Sequence, residues 1–201
     1  CKTYPTNESE KDQALARDIA QLADRLRGLL WLRSLKKPVY IRGKKREREF
    51  IDARIKGAAG LVAYQIRSAL QSSKAAVLEL VYESKFATKY VGVDGDVKSA
   101  SGNFLGRVAE LLDEPPSGDN LSIPLPSWLT TDIEETVEQE RDILRTIGKK
   151  AKQLSSQRMK ARSQVLRDLS AEHPVLLSFG AKPITLYQLA EGARQDGARH
   201  Q

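Results

Sequence analysis

The chain has one cysteine, Cys1, and two histidines, His173 and His200, among 201 residues. A single cysteine excludes an intrachain disulfide, and so small a Cys/His set cannot furnish the ligands of a zinc site. Aromatic residues make up 6% of the chain, too sparse for a platform on which bases stack. No apolar run approaches the roughly 18 residues of a membrane-spanning helix. Phosphate-binding GxxxxGK[ST], dinucleotide-binding GxGxxG and the GxSxG elbow are missing from the sequence. The nearest calcium loop, starting at Asp94, has Lys98 where an oxygen ligand belongs, Ser99 in place of glycine and Leu105 in place of the closing glutamate. Carboxylates are plentiful, but they read as ion-paired residues on amphipathic helix surfaces. These absences lead to an expectation of no enzyme, cofactor, metal or evident small-molecule substrate.

What is present favours helix. Ala, Leu, Glu, Lys, Arg and Gln dominate most segments, and with 40% hydrophobic residues the chain can bury a core. The formal charge is +7 and the pI about 9.5. That balance permits nucleic acid, acidic protein or anionic membrane as a partner and decides nothing about fold.

The stretch Thr131–His173 reads as one long helix around which the rest is arranged. Thr131-Asp132-Ile133-Glu134 is a capping-box pattern, and Pro174 closes the far end. Steps of four and three from Ile133 land on Val137, Glu140, Leu144, Ile147, Ala151, Leu154, Arg158, Ala161, Val165 and Asp168. Eight of those eleven positions are apolar, a narrow seam suited to packing in a bundle. Acidic residues crowd its start. From Arg145 to Arg167 it carries Arg145, Lys149, Lys150, Lys152, Arg158, Lys160, Arg162 and Arg167 with no acid, a run longer than a helix dipole accounts for.

The remaining segments fill out a mainly α fold with a minor β part, a long-helix bundle packed on a small antiparallel sheet or hairpin. Residues 1–8 read as a disordered tail. A helix–helix–β-hairpin–helix domain spans 9–113, with helices over Ser9–Leu35 and Lys45–Gln71. Strands are expected at Ala75–Tyr82 and Phe86–Val93, a third after the Asp94-Gly95 turn signal, and a short helix over Asn103–Leu112. Gly57-Ala58-Ala59-Gly60 suits close approach of another helix. A proline-containing linker covers 114–127 and the long helix 128–173. The C-terminal segment 174–201 holds a strand or packed extended piece at Val175–Phe179, a short helix from Pro183 and a frayed tail.

Two basic regions are candidate contacts for nucleic acid or another anionic partner. One is Lys36, Lys37, Arg42, Lys44, Lys45, Arg46 and Arg48 around Tyr40. The other is Arg145, Lys149, Lys150, Lys152, Arg158, Lys160, Arg162 and Arg167 on the long helix. Trp31, Trp128, Leu186 and Leu189 are the candidate protein-contact anchors, because large side chains provide most interface energy. The leading expectation is a non-enzymatic helical scaffold or adaptor, a subunit of a larger assembly with protein partners. The alternative is a basic RNA- or DNA-binding protein without sequence preference. Location is expected to be intracellular and soluble. A third reading, a lipid-anchored periplasmic scaffold, rests on Cys1 as a processed N-terminus.

Ile123-Pro124-Leu125-Pro126 with Leu129-Thr130, and Phe179-Gly180-Ala181-Lys182-Pro183-Ile184, resemble two short segments of ribosome recycling factors. They occur here in the reverse order, without the arginine-rich stretch that family carries. No functional residue is carried across.

Overall fold

Among the described residues nine α-helices follow one another: α1 Glu10–Asp24, α2 Lys44–Ser72, α3 Lys74–Val81, α4 Ser84–Val91, α5 Phe104–Ala109, α6 Ser127–Thr130, α7 Ile133–Gln153, α8 Gln157–Glu172 and α9 Pro183–Gln195. The structure, a computed structural model, describes residues 5–36, 43–93, 102–173 and 175–195. Among the described residues helix makes up 71% and no β-strand occurs. The mainly helical expectation therefore holds, and the sheet does not.

The bundle is built around α3. Every residue from Ala75 to Val81 is buried, because α2, α4 and α7 pack on it from different sides. An eight-residue apolar run fits a buried strand and a buried helix equally well. Here Ser73 decides for helix: its hydroxyl accepts from the Ala76 N–H at 3.1 Å, a side-chain N-cap. The second expected strand is α4. Its alternation of Phe86, Thr88 and Tyr90 is overridden by a helix stop at Gly92, which takes φ +67° and lets the Val93 N–H reach the Thr88 carbonyl. The third strand, expected after Asp94-Gly95, lies outside the described residues.

The buried cluster draws on every helix except α8 and on both sides of the 114–127 stretch. Phe104, Ile19, Leu29, Leu78, Leu111, Leu129 and Leu144 are among its fully buried side chains. Each such residue contributes about 1.5–3 kcal/mol relative to exposure. The 114–127 stretch is tied to the rest, because Ser117 exchanges backbone hydrogen bonds with Leu35 (3.0 Å) and Arg33 (3.2 Å). That isolated bridge is the one β-type pairing among the described residues.

Both long helices expected at the two ends of the core prove to be broken. The first stops at Asp24 and turns through Gly28 (φ +74°) into a short 3₁₀ turn, Leu29–Trp31. Gly28 also lies under α2: a Cβ there would sit 2.3 Å from the Ala58 carbonyl oxygen. The second breaks at Leu154 (φ −59°, ψ 136°), separating α7 from α8. Gly148, the obvious weak point, stays helical and gives room to Tyr82, whose hydroxyl oxygen lies 2.5 Å from where a Cβ would stand. The expected capping box does not form. Asp132 is the N-cap without a side-chain bond, and the Thr131 hydroxyl donates to the Ser127 carbonyl at 3.0 Å. The apolar seam is buried through Val137, Glu140, Leu144, Ile147, Ala151 and Leu154, then ends with the break. Helix α2 and the helices at 103–112 and after Pro183 stand where the sequence puts them.

Candidate interaction surface

Most of the basic residues between Arg145 and Arg167 face partners in their own chain. Arg145 pairs with Glu138 (2.5 Å) and Asp142 (2.8 Å), and Lys150 with Asp18 (2.7 Å). The Lys152 ammonium sits 4.8 Å from the ring centroids of both Tyr82 and Phe86. Arg158 pairs with Glu8 at 2.8 Å and donates to the Leu70 carbonyl. Arg162 donates to the carbonyls of Ser72 and Gln71, and Arg167 to Gln164. Arg158 and Arg162 thus cap the last carbonyls of α2, which have no partners within that helix, and their charge suits its negative end. Lys149 and Lys160 are exposed.

In the other basic region Lys36, Lys45, Arg46 and Arg48 are exposed. Lys37, Arg42 and the Lys44 side chain lie outside the described residues, as does Cys1. The two regions do not merge into one face. Lys45, Arg46 and Arg48 sit at the start of α2, whereas Arg158 and Arg162 hold its last residues, about 37 Å away at 1.5 Å per residue.

Both tryptophans are partly covered by arginines of their own chain. Trp31 is half-buried under the Arg107 guanidinium, 5.1 Å from its ring, and Trp128 lies under Arg27 at 4.8 Å. Leu61, Tyr64, Tyr90, Leu112 and Tyr187 are exposed singly or in pairs, and the longest exposed apolar run among the described residues is the segment between α8 and α9. Val175 and Leu177 are each 77% exposed and Phe179 89%. Residues 175–181 make no hydrogen bond to any described residue. The segment was legible as Val-Leu-Leu-x-Phe between Pro174 and Gly180, but an apolar run reads as buried until a structure shows nothing over it.

Beside this segment, α8, α9 and the end of α2 enclose an open hollow of about 450 Å³. Val165, Leu166, Phe179, Leu186 and Leu189 form its apolar walls and Arg162 is its charged residue. Leu186 and Leu189, expected as contact anchors, are therefore groove-lining residues, with Leu189 nearly buried. Gly180 brings its backbone close to Leu186, since a Cβ there would stand 3.0 Å from Leu186 Cδ2. A second hollow of about 680 Å³ flanks the same helix pair, with Lys160 and Arg167 as its charged residues.

Four carboxylates are buried instead of lying on helix surfaces: Asp12, Glu47, Glu79 and Glu140. Glu140 is the most demanding. Its Oε1 accepts from the Arg27 and Gly28 N–H groups at 2.5 and 2.7 Å, and its Oε2 from Leu29 at 3.1 Å. Burial pushes its carboxyl above the ordinary glutamate range, with those three N–H groups and the Arg27 charge pulling against it. Glu47 accepts the N–H of Ser122 at 2.8 Å together with its hydroxyl. Glu79 accepts from the Ser84 hydroxyl at 2.9 Å and is likewise pushed up by burial. These acids anchor turns, and neither hollow is lined by any of them. Among the described residues no group of three or more His, Cys, Asp or Glu is placed to hold a metal, and no helix is long and apolar enough to cross a membrane.

Fold and surface together define a helical bundle with an uncovered apolar segment at its C-terminal end. No protein family, curated protein or solved structure matches the chain.

Proposed function

We propose that this protein is a helical interaction module, a non-enzymatic subunit or adaptor that binds another protein through the surface formed by α8, α9 and the segment joining them. The observation that carries the reading is the exposure of Val175, Leu177 and Phe179 on a segment without hydrogen bonds to any described residue. Contiguous exposed apolar surface of this kind marks contact sites. Large apolar anchors that a partner desolvates carry most of the energy of an interface. Affinity capture from the source organism tests it, with Val175, Leu177 and Phe179 all replaced by serine as the control. The expected result is a stoichiometric partner retained by the parent chain and lost by the variant. A parent chain that retains nothing beyond what the triple variant retains rules the reading out.

A second reading, backbone binding to RNA or DNA, now rests on the start of α2 alone. Lys45, Arg46 and Arg48 are exposed there and form no ion pair among the described residues. Three such charges support weak, salt-sensitive binding. The Arg145–Arg167 stretch adds little to it, because six of its eight cations are engaged within the chain and the other two, Lys149 and Lys160, lie on different helices.

A further inference from the structure

We infer that the chain has a second folded state, in which α7 and α8 join into one rod and two copies exchange their α8–α9 arms. The break between the two helices spans Leu154, Ser155 and Ser156, with no glycine or proline to require it. Leu154 already has a helical φ of −59° and departs through its ψ of 136°. The seam of α7 continues past it in the sequence, through Ala161 and Val165. Side chains from three other helices hold the break open by taking groups that a continuous helix would pair with each other. Tyr90 donates to the Lys152 carbonyl at 3.0 Å, the helical acceptor for the Ser156 N–H. Lys74 donates to the Leu154 carbonyl at 3.2 Å, the helical acceptor for Arg158. Asp12 accepts the Ser155 N–H at 2.8 Å, the helical donor to Ala151. Bent and straight forms therefore satisfy the same backbone groups with different partners, as a two-state element requires. Removing Asp12 alone leaves both carbonyls held, so it loosens the bend without closing it into helix.

Straightening lifts the arm off its own bundle, and the surface it leaves fits a second copy. Among the described residues of α8 and α9, only Ile184 and Leu189 are buried apolar side chains. The remaining attachment is polar. Arg158 donates to the Leu70 carbonyl and pairs with Glu8 at 2.8 Å, and Arg162 donates to the Gln71 and Ser72 carbonyls. The Thr185 hydroxyl lies 2.7 Å from those of Ser72 and Ser73. The vacated surface thus offers carbonyl acceptors, two hydroxyls and the seat of Ile184, spaced to match this arm. A second copy brings that arm and receives the first copy's in return. Every arm contact is remade between the copies, so exchange costs little beyond association and closes as a symmetric pair. This goes beyond the interaction reading above: the partner is the chain itself, and the exchange needs no contact from Val175, Leu177 or Phe179.

The test uses the full chain, refolded from urea at low and at high protein concentration. Size-exclusion chromatography with light scattering is expected to show monomer from the first and a share of dimer from the second. Tyr90→Phe with Lys74→Met frees both carbonyls for helix and is expected to raise the association constant by about tenfold. Ser156→Pro is expected to abolish the dimer, because proline has no N–H for the Lys152 carbonyl and clashes with the preceding turn of a continuous helix. The bent form tolerates it, since the Ser156 N–H makes no hydrogen bond to any described residue, and an unchanged monomer melt checks this. A chain carrying Cys1→Ser, Ser72→Cys and Thr185→Cys locates the arms. Oxidation is expected to join the two chains of the dimer covalently and to close within one chain in the monomer. A parent chain that stays monomeric at both concentrations overturns the proposal, as does an association constant unmoved by the Tyr90/Lys74 pair. A dimer that survives Ser156→Pro, or whose disulfides close within each chain, also overturns it, because the copies then meet with their arms kept.

Discussion

Asp12 accepts both the backbone N–H and the hydroxyl of Ser155, at 2.8 and 2.7 Å, and so clips the first helix to the break between the seventh and eighth. The same carboxylate receives the Ser9 hydroxyl at 2.9 Å, while Ser9 caps α1 by accepting the Asp12 N–H. One buried acid therefore orients a helix start and a chain bend 143 residues away.

Replacing Asp12 with alanine removes both roles. The expected cost is roughly 2 kcal/mol, a lost hydrogen-bonded acceptor together with a loosened cap, read as a lower urea midpoint at constant slope. The bend at Leu154–Ser156 is expected to become the first site of limited proteolysis, because among the described residues no other hydrogen bond ties its backbone to α1. Unchanged stability and an unchanged cleavage pattern contradict this account of the bend.

The buried acids give the protein an unusual response to pH. Burial acts to raise the Asp12 carboxyl, but the Ser155 and Ser9 hydrogen bonds outweigh it and hold the group below its ordinary 3.8. Its contribution is present above that value and is lost as pH falls through the folded-state value. Glu140 and Glu79 go the other way, raised above 4.5 by burial. Between 4.5 and the raised values the folded chain binds more protons than the unfolded one, so their contribution is complete below 4.5 and diminishes as pH rises. Thermal melts are thus expected to show stability growing as pH falls from neutral toward 4.5, then declining below 3.8. Glu140→Gln flattens part of the rise. It also destabilises at neutral pH by about 1–3 kcal/mol, because an amide donor then faces a buried N–H. A parent protein whose stability climbs steadily from pH 4.5 to 7 contradicts the direction given for these two groups.

Glycines separate positions that need the missing side chain from those that merely lack one. Gly28→Ala places a Cβ 2.3 Å from the Ala58 carbonyl at φ +74°, and a loss of more than about 2 kcal/mol is expected from strain and displacement of α2. Gly57 and Gly60 have nothing within 4 Å of a Cβ. They lie inside α2 on its exposed side, so alanine at either is expected to stabilise by about 0.5–1 kcal/mol. Chemical denaturation of the three variants measures the contrast.

Much of the frame was readable from period and caps. The heptad-like seam of Val137, Leu144, Ile147 and Ala151 faces the core, and α2 runs from Lys44 to Ser72, within a residue of its expected ends. The failures share a physical cause. Ala75–Val81 carries apolar residues on every side because three helices surround it, and a run without a polar face has no period to read. The breaks at Gly28 and Leu154 depend on partners more than 100 residues away, Glu140 and Asp12. No local signal distinguishes those acids from their surface-exposed neighbours. Seen alone, the basic stretch from Arg145 invited an external anion. Three of its members instead neutralise nearby acids, and two close the end of α2, roles visible only once that end was placed beside α8.

That placement bears directly on nucleic-acid binding. With six of the eight cations between Arg145 and Arg167 engaged, affinity for RNA or DNA is expected to come chiefly from the start of α2. Converting Lys45, Arg46 and Arg48 together to glutamate is expected to abolish it, whereas Lys149→Glu with Lys160→Glu is expected to leave it within about twofold. Three phosphate contacts give a shallow salt dependence, with log K falling against log salt at a slope near −0.9 per contact, about −3 in all. A labelled duplex and a labelled single strand titrated at several salt concentrations provide both numbers. A slope near −8, or equal sensitivity to the two sets of reversals, means that Arg145–Arg167 releases its internal partners to meet phosphate. The carbonyls of Leu70, Gln71 and Ser72 are then left without their arginine donors, so α2 is expected to fray at its end on binding. Faster hydrogen exchange at Ala69–Ser73 in the complex than in the free chain is the signature that distinguishes the two cases.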